Sequence, residues 1–500
     1  MKYDYLIIGG GLGGLVLGII LAKENKRVCI LEQHYKPGGY LHSFNRRSQR
    51  FETGFHFAPE LDNDQVLDMY WGYAGILDKI ELVRYNRDNF HTLLFPDLKV
   101  ELPTGRDNIR EYLKTIFTAE TIIIDKYFDK LKELKSYFMF FNRDHKGDMD
   151  KEHQSFELTI NDYLNGLSVS KELRAVLTAH SFLYGVPPSE APLGTHAIFS
   201  NAIYSSAYDI KGGGDGLINA FRKSFEENGG EIKLRKKVIN IKMADKTATG
   251  VVTEDGDYYE AANIVSSINP QSTFKLFDTN PYRSVYTDRI NEMENTTSHF
   301  GLYALIDNNQ LDKMCSDYLY FPDYDINNIY NKPVSSDNHD NFLYMTVPTA
   351  RLGKENNLHV LETLSLDRWE NYSQWHDTHF GKRPDSYKEF KELTASKIIN
   401  QLHKVFGIDK DSIKYYEGST PLTNYHFTGS PNGSMYGIKH SINQMRAPIR
   451  ARTKVPNIFF TGQSLIFPGI VGVTITSFVT ACEIFGMEHI FKRIDSSLTH

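Results

Sequence analysis

Cysteine is scarce in this chain: Cys29, Cys315 and Cys482 are the only three in 500 residues. An odd number at wide spacing makes neither a disulfide framework nor a set of metal ligands, and it fits a reducing, cytoplasmic compartment. None of the 18 histidines stands four residues from another. The HxxxH spacing of a helical zinc site is therefore missing, and no metal is expected. Basic clusters are missing too: the formal net charge is −6 and no long Lys/Arg run occurs, so nucleic acid is not an expected partner. Long uninterrupted apolar runs are also rare, and the two nearest cases need a decision. One is YDYLIIGGGLGGLVLGIILA (3–22), the other the uncharged stretch from Ser464 to Cys482. A membrane helix needs roughly 20 apolar residues. The first stretch carries GGGLGG at its centre, and the second carries Pro468, two glycines and several Ser and Thr. Neither is expected to span a bilayer.

What is present is ordinary globular material, 41% hydrophobic and 24% charged, long enough for at least two domains. Its 31 Phe and 30 Tyr are spread along the whole length. They can fill two cores or line a large apolar cavity, and composition favours the cores.

The opening stretch has an Asp at position 4 and glycines that interrupt its apolar run, so a secretory signal is not expected. A phosphate cradle accounts for more of its residues. Tyr3 to Ile8 reads as a strand, Gly9, Gly11 and Gly14 satisfy G-x-G-x-x-G around Leu12 and Gly13, and Leu15 to Asn25 reads as a helix. Arg27 to Leu31 is then a second strand ending in Glu32, 18 residues beyond Gly14. Gly9 permits the tight turn, Gly11 lets backbone approach a pyrophosphate, and Gly14 allows helix to pack on strand. The helix start offers free N–H groups and a positive dipole end, and Glu32 stands where a carboxylate binds ribose hydroxyls.

Next comes Gln33 to Tyr40, QHYKPGGY, whose Gly38-Gly39 turn gives bare backbone a second approach to a diphosphate. From here the chain resembles the FAD-dependent superfamily of amine oxidases and phytoene desaturases. Ser43-Phe44 and Arg50 to Gly54 resemble the family's next segment, and residues 234–268 resemble the strand-turn-strand in which a valine, here Val238, meets the adenine. Near the C-terminus, NIFFTGQ (457–463) and FPGIVGV (467–473) resemble the strand and helix that approach the flavin. The resemblance implies FAD contacts at Gly462, Gln463, Gly469, Val471, Gly472 and Val473, although Gln463 stands where many relatives have an acid. The helix over 470–486 would point its positive end at the ring system. KGGGDG (211–216) reads as a loop into a helix, not as a second nucleotide site.

The fold class implied is α/β: a discontinuous Rossmann-like FAD-binding domain (1–85, 211–275 and 440–500) with an inserted α+β substrate domain (86–210 and 276–439). The insertions show amphipathic helix notably over 108–141, β-type runs at 299–306, 342–347 and 359–365, and a helix over 387–405. Phe138 to Phe141 at the end of the first helix can be core or a membrane-facing substrate mouth, and core is favoured. Within the superfamily, RFETGFHF (50–57), SFLYGVPPSEAP (181–192), TPLTNYHFTGSPNGSMYGI (420–438) and LIFPGIVGVTI (465–475) most resemble the branch holding retinol saturase and carotenoid isomerases.

That branch implies hydride transfer to or from the flavin on a hydrophobic polyene or isoprenoid, an unidentified electron donor or acceptor, and peripheral membrane contact owed to the substrate class. His56 and Tyr436 are the candidate proton donors, with Tyr425 and His426 behind them. Two alternatives stay open: a flavin amine oxidase, which would want paired tyrosines at the flavin, and a non-catalytic carrier of prenylated partners.

Overall fold

The computed structural model describes residues 2–336, 340–353 and 357–498. Its first sheet grows from the opening strand. Tyr3–Ile8 pairs in parallel with Val28–Leu31 on one side and with Tyr258–Ser266 on the other. Glu231–Lys233 extends the first edge in parallel, and Ile458–Phe460 pairs in parallel with the end of Tyr258–Ser266. Thr247–Thr253 and Val238–Ala244 add an antiparallel flank. All four residues of Val28–Leu31 are buried, as expected of a parallel strand covered on both faces.

The crossover helix is Leu12–Lys23, buried from Leu12 to Ala22. It lies under two other helices, Gly469–Phe485 and Gly213–Glu227. It starts three residues earlier than the sequence suggests, because the Leu15 N–H already donates to Gly11 O (3.0 Å) and the glycines leave nothing to clash. The uncharged run after Ser464 becomes the buried helix Gly469–Phe485. Among the described residues no helix is long and apolar enough to cross a membrane.

The second sheet is mixed. Its order runs Ile413–Ser419, Ser298–Ile306, His359–Asp367, Leu343–Thr346, Asp317–Tyr320, His91–Leu94 and Lys99–Leu102. Among the described residues of this sheet, only Asp317–Tyr320 and His91–Leu94 pair in parallel. Asp385–Phe406 covers one face, Ile398 and Leu402 sharing a core with Phe300 and Leu302. The helix expected over 108–141 is two, Arg106–Ile116 and Thr121–Lys135, broken at Phe117. The bend lets Ile109 and Leu113 of one and Ile124, Phe128 and Leu131 of the other reach a single core. Tyr137 to Phe141 is a turn beyond both, with Phe138 and Phe141 buried against Phe467.

Candidate active site

The two glycine turns meet. Gly9 has φ +98°, a conformation that glycine adopts at no steric cost. A Cβ on Gly14 would lie 2.2 Å from Gly9 O, so the helix can sit this close to its strand only without a side chain there. A Cβ on Gly13 would lie 3.1 Å from the Cα of Gly462, which brings the C-terminal turn against the first one. The Gly38 N–H donates to Gly10 O (2.9 Å) and seats the second loop alongside. Glu32 braces both: its Oε2 accepts the Gly10 N–H (2.7 Å) and its Oε1 the His34 N–H (2.7 Å). Burial raises the proton affinity of this carboxyl, and the backbone donors work against that rise.

These turns wall a cavity of about 460 Å³. Gly9, Gly11, Leu12, Gly13, Glu32, Gln33, Gly38, Gly39, Val238, Gly462, Gln463, Gly469, Val471 and Val473 all line it. Gly14 and Gly472 stand behind the wall: a Cβ on Gly472 would lie 2.5 Å from Phe467 O, so both serve close packing of backbone. Helices Leu12–Lys23 and Gly469–Phe485 both open their first turns on the cavity, and neither carries an acid there. Unpaired N–H groups at two helix starts make these ends suited to negative charge. An elongated dinucleotide with a central diphosphate fits this donor set.

The model of the family described as flavin containing amine oxidoreductase matches residues 12–301. The chain belongs to that family. Its cofactor is FAD, in keeping with the glycine turns and helix starts just described. All-trans-retinol 13,14-reductase of Danio rerio is 25% identical over 520 residues, covering 94% of this chain and 84% of its own. Prolycopene isomerase of Daucus carota is 22% identical, covering 99% of this chain and 83% of its own. Among solved structures, an oxidoreductase from Methanosarcina mazei overlays with a TM-score of 0.65 at 13% identity, covering 96% of this chain and all of its own.

The remaining end of the flavoprotein's cavity is apolar, lined by Phe57, Leu183, Phe199, Ile203, Leu364 and Met435. His56 and Tyr436 both line the cavity. The His56 ring lies 4.7 Å from that of Tyr344, and its Nδ1 is buried without a hydrogen-bond partner among the described residues. Burial holds this imidazole well below its ordinary range, to about 4. Tyr436 is anchored by its N–H on Thr296 Oγ1 (2.9 Å), and burial pushes its phenol up.

His299 also lines the cavity, with Nδ1 3.2 Å from Asn424 Nδ2, and burial lowers it to about 4. The sequence reading missed it. The one available signal was a histidine in the largely apolar, fully buried strand SHFGLYALI. Tyr425 and His426 are not among the lining residues: Tyr425 is exposed, and His426 stacks on Phe380 (4.6 Å).

Proposed function

We propose that this flavoprotein acts on a carbon–carbon double bond of a hydrophobic polyene or isoprenoid, with saturation as the favoured direction. The observation that carries this reading is the apolar lining beyond the glycine turns: over the whole cavity Glu32, which is held at the Gly10 turn, is the one carboxylate among the described lining residues. A conjugated hydrocarbon is held by such a sleeve through buried area, at roughly 25 cal/mol per Å². An amine arrives as a cation and needs a carboxylate or an aromatic cage, so amine oxidation fits this sleeve less well. Likeness to retinol 13,14-reductases over 94% of the chain supports the same direction.

In this reading residues 1–85, 211–275 and 440–500 bind the cofactor, while 86–210 and 276–439 shape the substrate sleeve. The Gly9 to Gly14 turn and Gly38-Gly39 hold the diphosphate, Glu32 the ribose and Val238 the adenine. Gly462, Gln463 and the helix start at Gly469 to Val473 hold the flavin end. FAD, when bound and reduced, supplies hydride chemistry. The chain's own part is to exclude water and to move one proton to the neighbouring carbon. That role falls to His56, whose imidazole lines the cavity next to the apolar residue Phe57. Held neutral by burial, the ring gains a proton once negative charge is placed beside it. An outside electron donor completes the cycle.

One anaerobic absorbance experiment tests the reading: the FAD-loaded, photoreduced protein is mixed with retinol or a carotenoid in detergent. A blue shift of the polyene band as the flavin band returns is expected. An unchanged polyene beside stable reduced flavin would remove these compounds as acceptors.

A further inference from the structure

Among the described residues nothing hydrogen-bonds to the buried Nδ1 of His56, the ring assigned above to proton transfer. Two tyrosines hold the residue instead. The Tyr85 hydroxyl lies 3.1 Å from the His56 backbone O, and the Tyr344 ring packs against the imidazole at 4.7 Å and 50°. Both phenols converge on the same atom behind the cavity wall, Asp317 Oδ2, at 3.1 Å from Tyr85 and 2.6 Å from Tyr344.

Asp317 has no exposed surface, and its other oxygen is fully used. Oδ1 accepts from Thr346 Oγ1 (2.6 Å) and Arg351 Nη1 (3.1 Å). The Arg351 guanidinium lies 4.1 Å from the Tyr85 ring, so it clamps the second tyrosine as well. The parallel pairing of Asp317 with His91 brings His91 Nε2 to 3.8 Å from Oδ2. The charged and titratable groups acting on His56 are thus Asp317 and Arg351, with His91 and His299 responding to it in turn.

We propose that Asp317 is a positioning residue: through Tyr344 and Tyr85 it fixes the His56 imidazole in the cavity wall. The proposal rests on the assignment of His56 above. A ring with no direct orienter gains its orientation from what packs on it, and misplacement by about 1 Å can cost a hundredfold in rate. Losing the Asp317 hub therefore frees the imidazole without touching the substrate.

Asp317→Asn also breaks a buried ion pair and can unfold the protein, so Tyr344→Phe, which keeps the ring and removes one hydroxyl, is the test variant. With FAD loaded, its kcat for polyene reduction should fall about tenfold or more while KM holds. In the His56→Asn background the same change should cost nothing further. An equal loss in both backgrounds overturns the proposal. A second readout needs no turnover: carbethoxylation of His56 by diethyl pyrocarbonate across pH, followed by peptide mass spectrometry. Tyr344→Phe should raise the rate and move the midpoint, and profiles identical to wild type overturn the proposal. If the profile shifts but His56→Asn reduces polyene at the wild-type rate, positioning stands and the proton role of His56 falls.

Discussion

Glu52 and Glu362 bury their carboxyl groups side by side where the Gln49–Glu52 strand meets His359–Asp367, and the Glu52 N–H donates to Glu362 Oε1 (2.7 Å). Arg50 Nε lies 2.9 Å from Glu52 Oε1 and the Gly214 N–H 3.0 Å from its Oε2, yet Glu362 Oε2 has no hydrogen-bond partner among the described residues. Burial, with the neighbouring Arg50 opposing it, pushes Glu52 up to about 8, and burial together with Glu52 raises Glu362 well above its ordinary range.

The sign of the pH effect follows. The folded protein holds these protons where the unfolded chain, with carboxyls near 4.5, has released them. Stability is therefore full below about 4.5 and is lost as pH rises through about 8. The melting temperature should fall by several degrees between pH 5 and 8.5 on account of this pair. Glu362→Gln, which keeps the acceptor for the Glu52 N–H, should flatten that dependence and raise the melting temperature at pH 8.5. A slope unchanged by the substitution removes the pair as its source.

Gly14 and Gly11 should separate folding from cofactor binding. Gly14→Ala drives a methyl into Gly9 O and should destabilise the apoprotein by about 1–3 kcal/mol. Gly11→Ala meets nothing nearer than the Gly39 Cα at 4.0 Å, so the apoprotein should melt as wild type while FAD binds at least tenfold more weakly. Melting of apoprotein and a flavin fluorescence titration read the two effects apart.

Glu32→Gln should weaken both. Each Glu32 oxygen accepts a backbone N–H, and the glutamine amide would turn an NH₂ against one of those donors. A buried donor left unsatisfied costs about 1–3 kcal/mol. Apoprotein stability should drop by that amount, and FAD affinity with it, as measured by denaturant unfolding and by titration. Intact stability with lost affinity would confine Glu32 to the cofactor.

His56→Asn and His299→Asn should leave FAD binding untouched. Substitution of the proton donor should lower kcat by about a hundredfold or more, and we expect that loss at His56, with His299→Asn below tenfold. Single-turnover reoxidation of the reduced flavin by the polyene measures both. The reverse ranking would move the role to His299.

The cofactor end of this site was legible because its geometry is local. A tight turn, a backbone approach and a helix packed on its strand each demand glycine at a set spacing, and an acid must end the second strand. Gly9, Gly11, Gly14 and Glu32 record those demands within one βαβ unit, and Gly462 and Gly469 do the same near the C-terminus. The apolar end carries no such signature. Leu183, Phe199, His299 and Leu364 come from segments far apart in the chain. They meet only because Ser298–Ile306 pairs with His359–Asp367 and helix Leu193–Ile203 packs beneath the cavity. Asp317 meets Tyr344 across its antiparallel pairing with Leu343–Thr346 and Tyr85 from a segment 232 residues away in the chain, contacts that no neighbouring residues announce. Local backbone conformation restricts residue type and so is written in the sequence, whereas strand order and long-range packing accept many side chains and are decided only when the whole chain folds.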